Sequence, residues 1–405
     1  MMPTALLLLA ASHEALIIPL ALLTVFASAK LLAELFERIG QPGIIGEILA
    51  GVLIGPSVLN WVTRDGFLAA LGDLGVMFLL FRVGLEVKPD ELLKLGGTAA
   101  FVAACGVVAP FIMGWAILAA WGAPQVEAIF VGAAMVATSV GITAQVLAAK
   151  GLLHEKSSQI ILAAAVIDDV LGLLVLAAVS GMAKGKVDLV EIGLTCLFAV
   201  AFVVVIAVWG NRAMGRVVPR LQQSLRVAEA EFSMAMVLLF ALSVLAVYVG
   251  VAAIVGAFFA GMALAGRVGP RVHDLASGAS ELLVPFFLAG IGLNVSLAAF
   301  QRPSLVILTV VIIAAAVVSK MIGCGLSALP LGRLEAWRIG VGMIPRGEVG
   351  MVVAQIGLSL GAVSRDIYGV VVLMAVATTI VAPPLIAIAY KEAVPLLDTE
   401  VARVG

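Results

Sequence analysis

The chain has 405 residues, 63% of them hydrophobic and only 12% charged, with a mean hydropathy of +1.21. That composition excludes a soluble domain of this size and makes the chain an integral membrane protein. A net charge of -1 leaves no basic field to recruit nucleic acid, so each charge matters by its position.

At the N-terminus the apolar stretch Ala5–Ala11 lacks the basic flank of a signal peptide, so none is expected. A helix rises about 1.5 Å per residue and the hydrocarbon core is about 30 Å thick, so roughly 20 apolar residues make one crossing. That ruler gives thirteen candidate spans: 14–37, 43–60, 66–87, 96–121, 125–149, 157–183, 187–211, 229–249, 251–267, 276–299, 304–331, 335–362 and 366–390. The loops between them alternate between rich and poor in Lys and Arg. Arg212, Arg216, Arg220 and Arg226 crowd one loop, whereas the opposite side holds Arg64, Lys184, Lys186, Arg302 and Arg365. Positive charge collects on the cytoplasmic side, which places the N-terminus outside and the C-terminus inside. Cys105, Cys196 and Cys324 fall in separate apolar segments and read as buried small hydrophobes. The three histidines sit in loops or at segment ends without metal-ligand spacing.

Apart from Arg267 and Arg338, which sit at cytoplasmic span ends, four basic residues fall within spans, namely Lys30, Arg82, Lys320 and Arg346. Lys30 and Arg82 lie toward span ends, where a long side chain snorkels to the interface. Lys320 lies about 15 Å from the end of segment 11, too deep for that. In segment 6, Asp168 and Asp169 interrupt the run from Ile160 to Val179 at a similar depth. A carboxylate there costs at least about 2.5 kcal/mol and needs a partner, a cavity or a cation, so the pair reads as an ion or proton site with Lys320 within pairing depth.

Segment 5 contains Ala137-Thr-Ser-Val-Gly-Ile-Thr143 and segment 12 contains Met343-Ile-Pro-Arg-Gly-Glu-Val-Gly350. Proline removes a backbone donor and glycine permits non-helical backbone, so both segments are expected to be broken at mid-membrane. Arg346 and Glu348 are candidates to compensate the helix ends of the second break. Pairing spans 2 to 6 with spans 9 to 13 puts the two breaks at equivalent places in two five-helix units of opposite topology, the pattern of inverted-repeat transporters. The expected fold is therefore an all-α polytopic membrane protein of about 13 transmembrane helices, with two inverted five-helix repeats and crossed broken helices in segments 5 and 12. Glu47, in segment 2, reads as a packing or domain contact, and Asp73 is given no role.

The ordered motifs Gln41-Pro-Gly-Ile-Ile-Gly-Glu-Ile-Leu-Ala-Gly-Val-Leu-Ile-Gly-Pro56, Phe78-Leu-Leu-Phe-Arg-Val-Gly-Leu-Glu86, Ala137–Thr143, Ala164-Ala-Val-Ile-Asp-Asp-Val-Leu-Gly172, Lys320 and Pro345-Arg-Gly-Glu-Val-Gly350 run nearly the full length. They resemble the bacterial monovalent cation:proton antiporter-2 family, and within it the NapA-type sodium/proton antiporters. Gln145 departs from the arginine common there, and Arg82 from an apolar residue. The resemblance implies an ion-translocating core (96–186 and 301–391) moving elevator-fashion against a dimerisation panel (1–95 and 229–300). A linker helix and cytoplasmic loop (187–228) would join them, followed by a short cytoplasmic tail (392–405). It further implies Asp169 as the sodium and proton ligand, Asp168 as the partner of Lys320, and Thr138 and Ser139 lining the break.

Consecutive helical residues point about 100° apart, which agrees with two different roles for the two aspartates. The expected activity is electrogenic exchange of Na+ or Li+ for H+ across a bacterial cell membrane. The protein would be a homodimer in contact with lipid, not an enzyme, with no cofactor and no fused nucleotide-binding regulatory domain. Three alternatives stay open: a Kef-like potassium/proton antiporter, a sodium-coupled organic solute symporter, and, least favoured, an intramembrane aspartyl protease. The last needs its aspartates on two facing helices rather than adjacent in one.

Overall fold

The computed structural model describes residues 4–63, 65–87, 89–183, 189–210, 212–216, 229–295 and 302–391. Among them the regular elements are helices. In chain order these are α1 (Thr4–Arg38), α2 (Gly43–Ile54), α3 (Gly66–Glu86), α4 (Pro89–Ala120), α5 (Gln125–Ala134), α6 (Val140–Ala149), α7 (Lys156–Ala183), α8 (Leu189–Val205), α9 (Ala230–Tyr248), α10 (Ala253–Leu264), α11 (Pro270–Leu293), α12 (Pro303–Lys320), α13 (Arg333–Gly342), α14 (Glu348–Ser359) and α15 (Arg365–Ala389). Eight of them, α1, α3, α4, α7, α9, α11, α12 and α15, are long and apolar enough to cross a membrane. The chain is thus a multi-pass membrane protein.

Several boundaries differ from expectation for local reasons. Segment 2 stops as a helix at Ile54 because Gly55 turns extended and Pro56 cannot continue the ladder. Segment 10 begins earlier, at Pro270, which suits the first turn of a helix, where its missing N–H would have no partner anyway. Segments 5 and 12 are each two short helices, α5 with α6 and α13 with α14, joined by the irregular links 135–139 and 343–347. Two helices run on into π turns: α8 into Ile206–Gly210, and α12 into Met321–Gly325.

The chain divides into two compact units. One comprises α1, α2, the first half of α3 and the second half of α11. Its apolar core includes Val25, Ile54, Leu68, Phe286 and Leu293. Lys30 is half-exposed and donates from Nζ to Glu47 Oε1 at 2.8 Å, and Glu47 is buried. The second unit holds the remaining helices around two apolar clusters. Phe130, Met135, Val179, Ile312, Val353 and Met374 join α5, α7, α12, α14 and α15. Phe81, Leu239, Ala260, Leu264 and Val272 join α3, α9, α10 and α11. Lipid tails are as apolar as these side chains, so the packing is held by close contact rather than by escape from water.

Polar staples close both ends of the second unit. At one end Glu127 Oε1 accepts from the Ser364 N–H at 2.8 Å, Ser364 Oγ caps α15, and Arg302 pairs with Asp366 at 2.6 Å. At the other, buried Arg338 pairs with Glu335 at 3.2 Å, lies 3.6 Å from Glu155, donates to the Ala389 carbonyl and stacks 4.8 Å from the Tyr390 ring. The Tyr390 hydroxyl donates to Ser157 and accepts from Ser158, at the start of α7.

The asymmetry of the Lys30–Glu47 pair makes a test. Lys30→Ala leaves a buried carboxylate without its cation and should cost about 2–3 kcal/mol, whereas Glu47→Ala frees a half-exposed lysine that can reach the interface. Thermal unfolding in detergent should rank Lys30→Ala well below Glu47→Ala; the reverse order would contradict this reading of the pair.

Candidate functional site

The site is built where the two broken segments cross. In the first, the link 135–139 leaves the helical ladder and its backbone groups turn to other elements. The Thr138 N–H donates to Asp168 Oδ2 at 2.9 Å, and the Ser139 N–H donates to the Pro345 carbonyl at 2.8 Å. The carbonyls of Val136 and Ala137 accept from Arg346 Nη1 at 2.8 and 3.3 Å. In the second break Pro345 has no N–H to satisfy. The Arg346 N–H donates to Thr378 Oγ1 at 3.2 Å, and the Arg346 carbonyl accepts from Thr379 Oγ1 at 2.7 Å. Thr143 Oγ1, on α6, donates to the Gly342 carbonyl that ends α13, at 2.7 Å. The links approach so closely that a methyl on Gly347 would lie 2.6 Å from Ser139 Cβ, which is why a glycine stands there.

Arg346 was expected to serve the ends of its own segment. Its guanidinium instead reaches the carbonyl end of α5, the negative end of that helix dipole, and also donates from Nη2 to Ala316 on α12 at 3.2 Å. Fully buried, it joins three backbone acceptors from two other elements. Glu348 is the first residue of α14, and its side chain lies outside the described ones.

Asp168 and Lys320 are both completely buried, with Lys320 Nζ 3.3 and 3.2 Å from the two carboxylate oxygens. The start of α6 adds to this pair: the Thr138 N–H reaches Asp168 from the positive end of that helix. Lys320 closes the regular part of α12, and the π turn that follows is an irregularity of a kind frequent at functional positions. Asp169 is also buried, one residue on along α7. Thr138 Oγ1 is buried with no hydrogen-bond partner among the described residues, and Ser139 caps α6 by position without a side-chain cap bond. The structure thus gathers Asp168, Lys320, Thr138, Ser139 and Arg346 around one crossing, with Asp169 buried next to Asp168 on α7. Oxygen-rich and shut from bulk water, such a place suits protons and hard monovalent cations.

Other singled-out residues lie elsewhere. Gln145 and Arg82 are half-buried on α6 and α3, Asp73 is exposed on α3, and only Cys324 of the three cysteines is buried. Sequence reasoning missed Thr378 and Thr379, whose adjacent hydroxyls in the apolar segment 13 were the available signal, and the Arg338–Tyr390 cluster.

A profile of the family described as sodium/hydrogen exchanger, transmembrane, matches residues 21–391. The Na+/H+-K+ antiporter GerN of Bacillus cereus is 33% identical over 370 residues, covering 89% of this chain and 93% of GerN. The high-affinity Na+/H+ antiporter NhaS3 of Synechocystis sp. is 32% identical over 423 residues, covering 92% of this chain and 90% of NhaS3. Among solved structures, the sodium proton antiporter MjNhaP1 of Methanocaldococcus jannaschii superposes with a TM-score of 0.67 at 15% identity, covering 97% of this chain and 99% of that one, a likeness of fold.

Arg346→Ala takes this donor from the buried Val136 and Ala137 carbonyls, while the Ala316 carbonyl keeps its bond from Ser319 Oγ, and should lower the stability of the purified protein by about 2 kcal/mol or more. Arg346→Lys should recover only part, because a single ammonium cannot match two guanidinium arms. A melting temperature equal to wild type in either variant would mean that those carbonyls have other partners.

Proposed function

The chain belongs to the sodium/hydrogen exchanger family, and we propose that it exchanges Na+ for H+ with Asp169 as the ligand both compete for. The observation that carries this reading is the engagement of Asp168: one oxygen takes the Thr138 N–H, and both lie against Lys320. An aspartate so held is an anchor. Its neighbour on α7, pointing about 100° away, then takes the load. A carboxylate binds a proton or a hard cation but not both, so the two substrates displace each other at one place. Thr138 Oγ1, Ser139 and backbone carbonyls of the first break are the further oxygens within the same crossing.

In the proposed cycle the loaded site crosses the membrane and the empty one does not, so the carrier exchanges rather than leaks. Two crossing breaks, each ending half-helices at mid-membrane, support thirteen spans arranged as two inverted five-helix repeats. On this reading 96–186 and 301–391 form the moving core, 1–95 and 229–300 the panel through which two copies pair in the lipid, and 187–228 the linker. The N-terminus is outside and the C-terminus in the cytoplasm of a bacterial cell.

Exchanging one sodium for one proton at Asp169 moves no net charge. Electrogenic exchange therefore asks Lys320 or Asp168 to carry a second proton, which couples transport to voltage at about 2.3 kcal/mol per charge per 100 mV. A second reading, with K+ as an additional cation, is favoured by the similarity to GerN, an Na+/H+-K+ antiporter.

Proteoliposomes under clamped voltage test these points together. Wild type should move protons against Na+ or Li+ gradients at a rate that depends on voltage, and a K+ gradient separates the two readings. Asp169→Ala should insert and fold yet abolish exchange; robust sodium/proton exchange by that variant would refute the assignment. Lys320→Ala should leave an uncompensated Asp168; voltage-independent exchange by that variant assigns the second proton to Lys320, and retained voltage dependence assigns it to Asp168.

A further inference from the structure

Behind the Lys320 ammonium, on the backbone of α4, stands Gly106. The π turn after Lys320 presses against this part of α4: Cys324, buried, directs its thiol to the Val102 carbonyl at 3.7 Å, and the backbone at Gly323 meets that of Cys105. A methyl group built on Gly106 would lie 2.5 Å from Cys324 Sγ, 3.3 Å from Lys320 Nζ and 3.8 Å from Lys320 Cδ. The Cys324 sulfur therefore fills the space that any other residue's Cβ would take, and the Lys320 ammonium stands at the edge of that space, a few tenths of an ångström inside ordinary contact. Lys320 Nζ is also 3.2 Å or more from both Asp168 oxygens, longer than the about 2.7–2.9 Å of a tight charged hydrogen bond. The ammonium lies between α4 and α7, shared by the two carboxylate oxygens.

We propose that Gly106 is a positioning residue for exchange: its missing side chain seats Lys320 against α4 and so sets the distance and strength of the Lys320–Asp168 pair. The residue touches neither ion nor proton and acts through the lysine. The proposal rests on the reading above, in which that pair tunes the competition of proton and cation at Asp169.

Substitution at this seat has two separable contacts. Gly106→Ala crowds both the thiol and the ammonium, whereas Gly106→Ala with Cys324→Ala relieves the contact with the thiol and keeps the one with Lys320. The methyl then takes room the sulfur has vacated, so the double variant folds even where the single one does not. Cation-driven proton movement in proteoliposomes, measured across pH and Na+ concentration, reads the effect. Both Gly106 variants should shift the pH of half-maximal exchange by about half a unit or more and change the KM for Na+ about threefold or more, while Cys324→Ala alone keeps the wild-type profile. A double variant that regains the wild-type pH profile and KM would overturn the proposal, since the thiol contact alone would explain the single variant. So would a folded Gly106→Ala protein with both quantities unmoved. Wild-type vesicles without cation-driven proton movement would instead overturn the exchange reading, which separates the two failures.

Discussion

A helix that stops inside a membrane exposes backbone N–H and C=O groups where no bulk water can meet them, and the organisation of this site follows from that constraint. Each break supplies partners to the other. Ser139 donates to Pro345, Thr143 donates to the end of α13, and Arg346 reaches back to Val136 and Ala137. Neither interruption is tolerable alone, because the groups that one leaves open are those the other closes. Thr378 and Thr379, on an unbroken neighbour, complete the second break with two hydroxyls.

The charges obey the same logic. Isolated buried ions are expensive, and a buried pair repays that cost only when hydrogen bonds satisfy what remains. Asp168 meets this condition through Lys320 and the Thr138 N–H, and Arg346 meets it through carbonyl oxygens rather than a carboxylate. The arginine gives its hydrogen bonds to backbone, so Lys320 is the cation that pairs directly with Asp168 among the described residues. The polar chemistry of ion exchange and the structural repair of the breaks are thus assigned to different side chains within one crossing.

Much of this was legible in the chain. The depth of Lys320 and of both aspartates follows from counting residues at helical rise, and the family resemblance then chose Asp168 as the lysine's partner. Pro345, Gly347 and the Thr138-Ser139 pair announced both interruptions, because each weakens a helix in a medium that punishes weakness. What stayed hidden required the third dimension. Arg346 has no sequence signal for carbonyls in a segment two hundred residues away, and hydroxyls such as Thr378 and Thr379 ordinarily bond back to their own helix, which both also do here. The Lys30–Glu47 pair had no sequence signal, because Glu47 lies on another helix. Span ends moved where Gly55, Pro56 and Pro270 overrode hydropathy, a reminder that an apolar run measures membrane affinity and not helix length.

The cluster of Arg338, Glu335, Glu155 and Tyr390 has a mechanical meaning. It ties the beginning of α7 to the beginning of α13 and the end of α15. Ser158 lies ten residues before Asp168, about 15 Å along the helix axis. Twisting α7 about its axis would swing Asp168 past Lys320, and that twist has to drag the Tyr390 ring and the Arg338 guanidinium with it. The far end of the helix therefore gives α7 a second hold against rotation, one that acts by leverage in addition to the contacts at Asp168 itself.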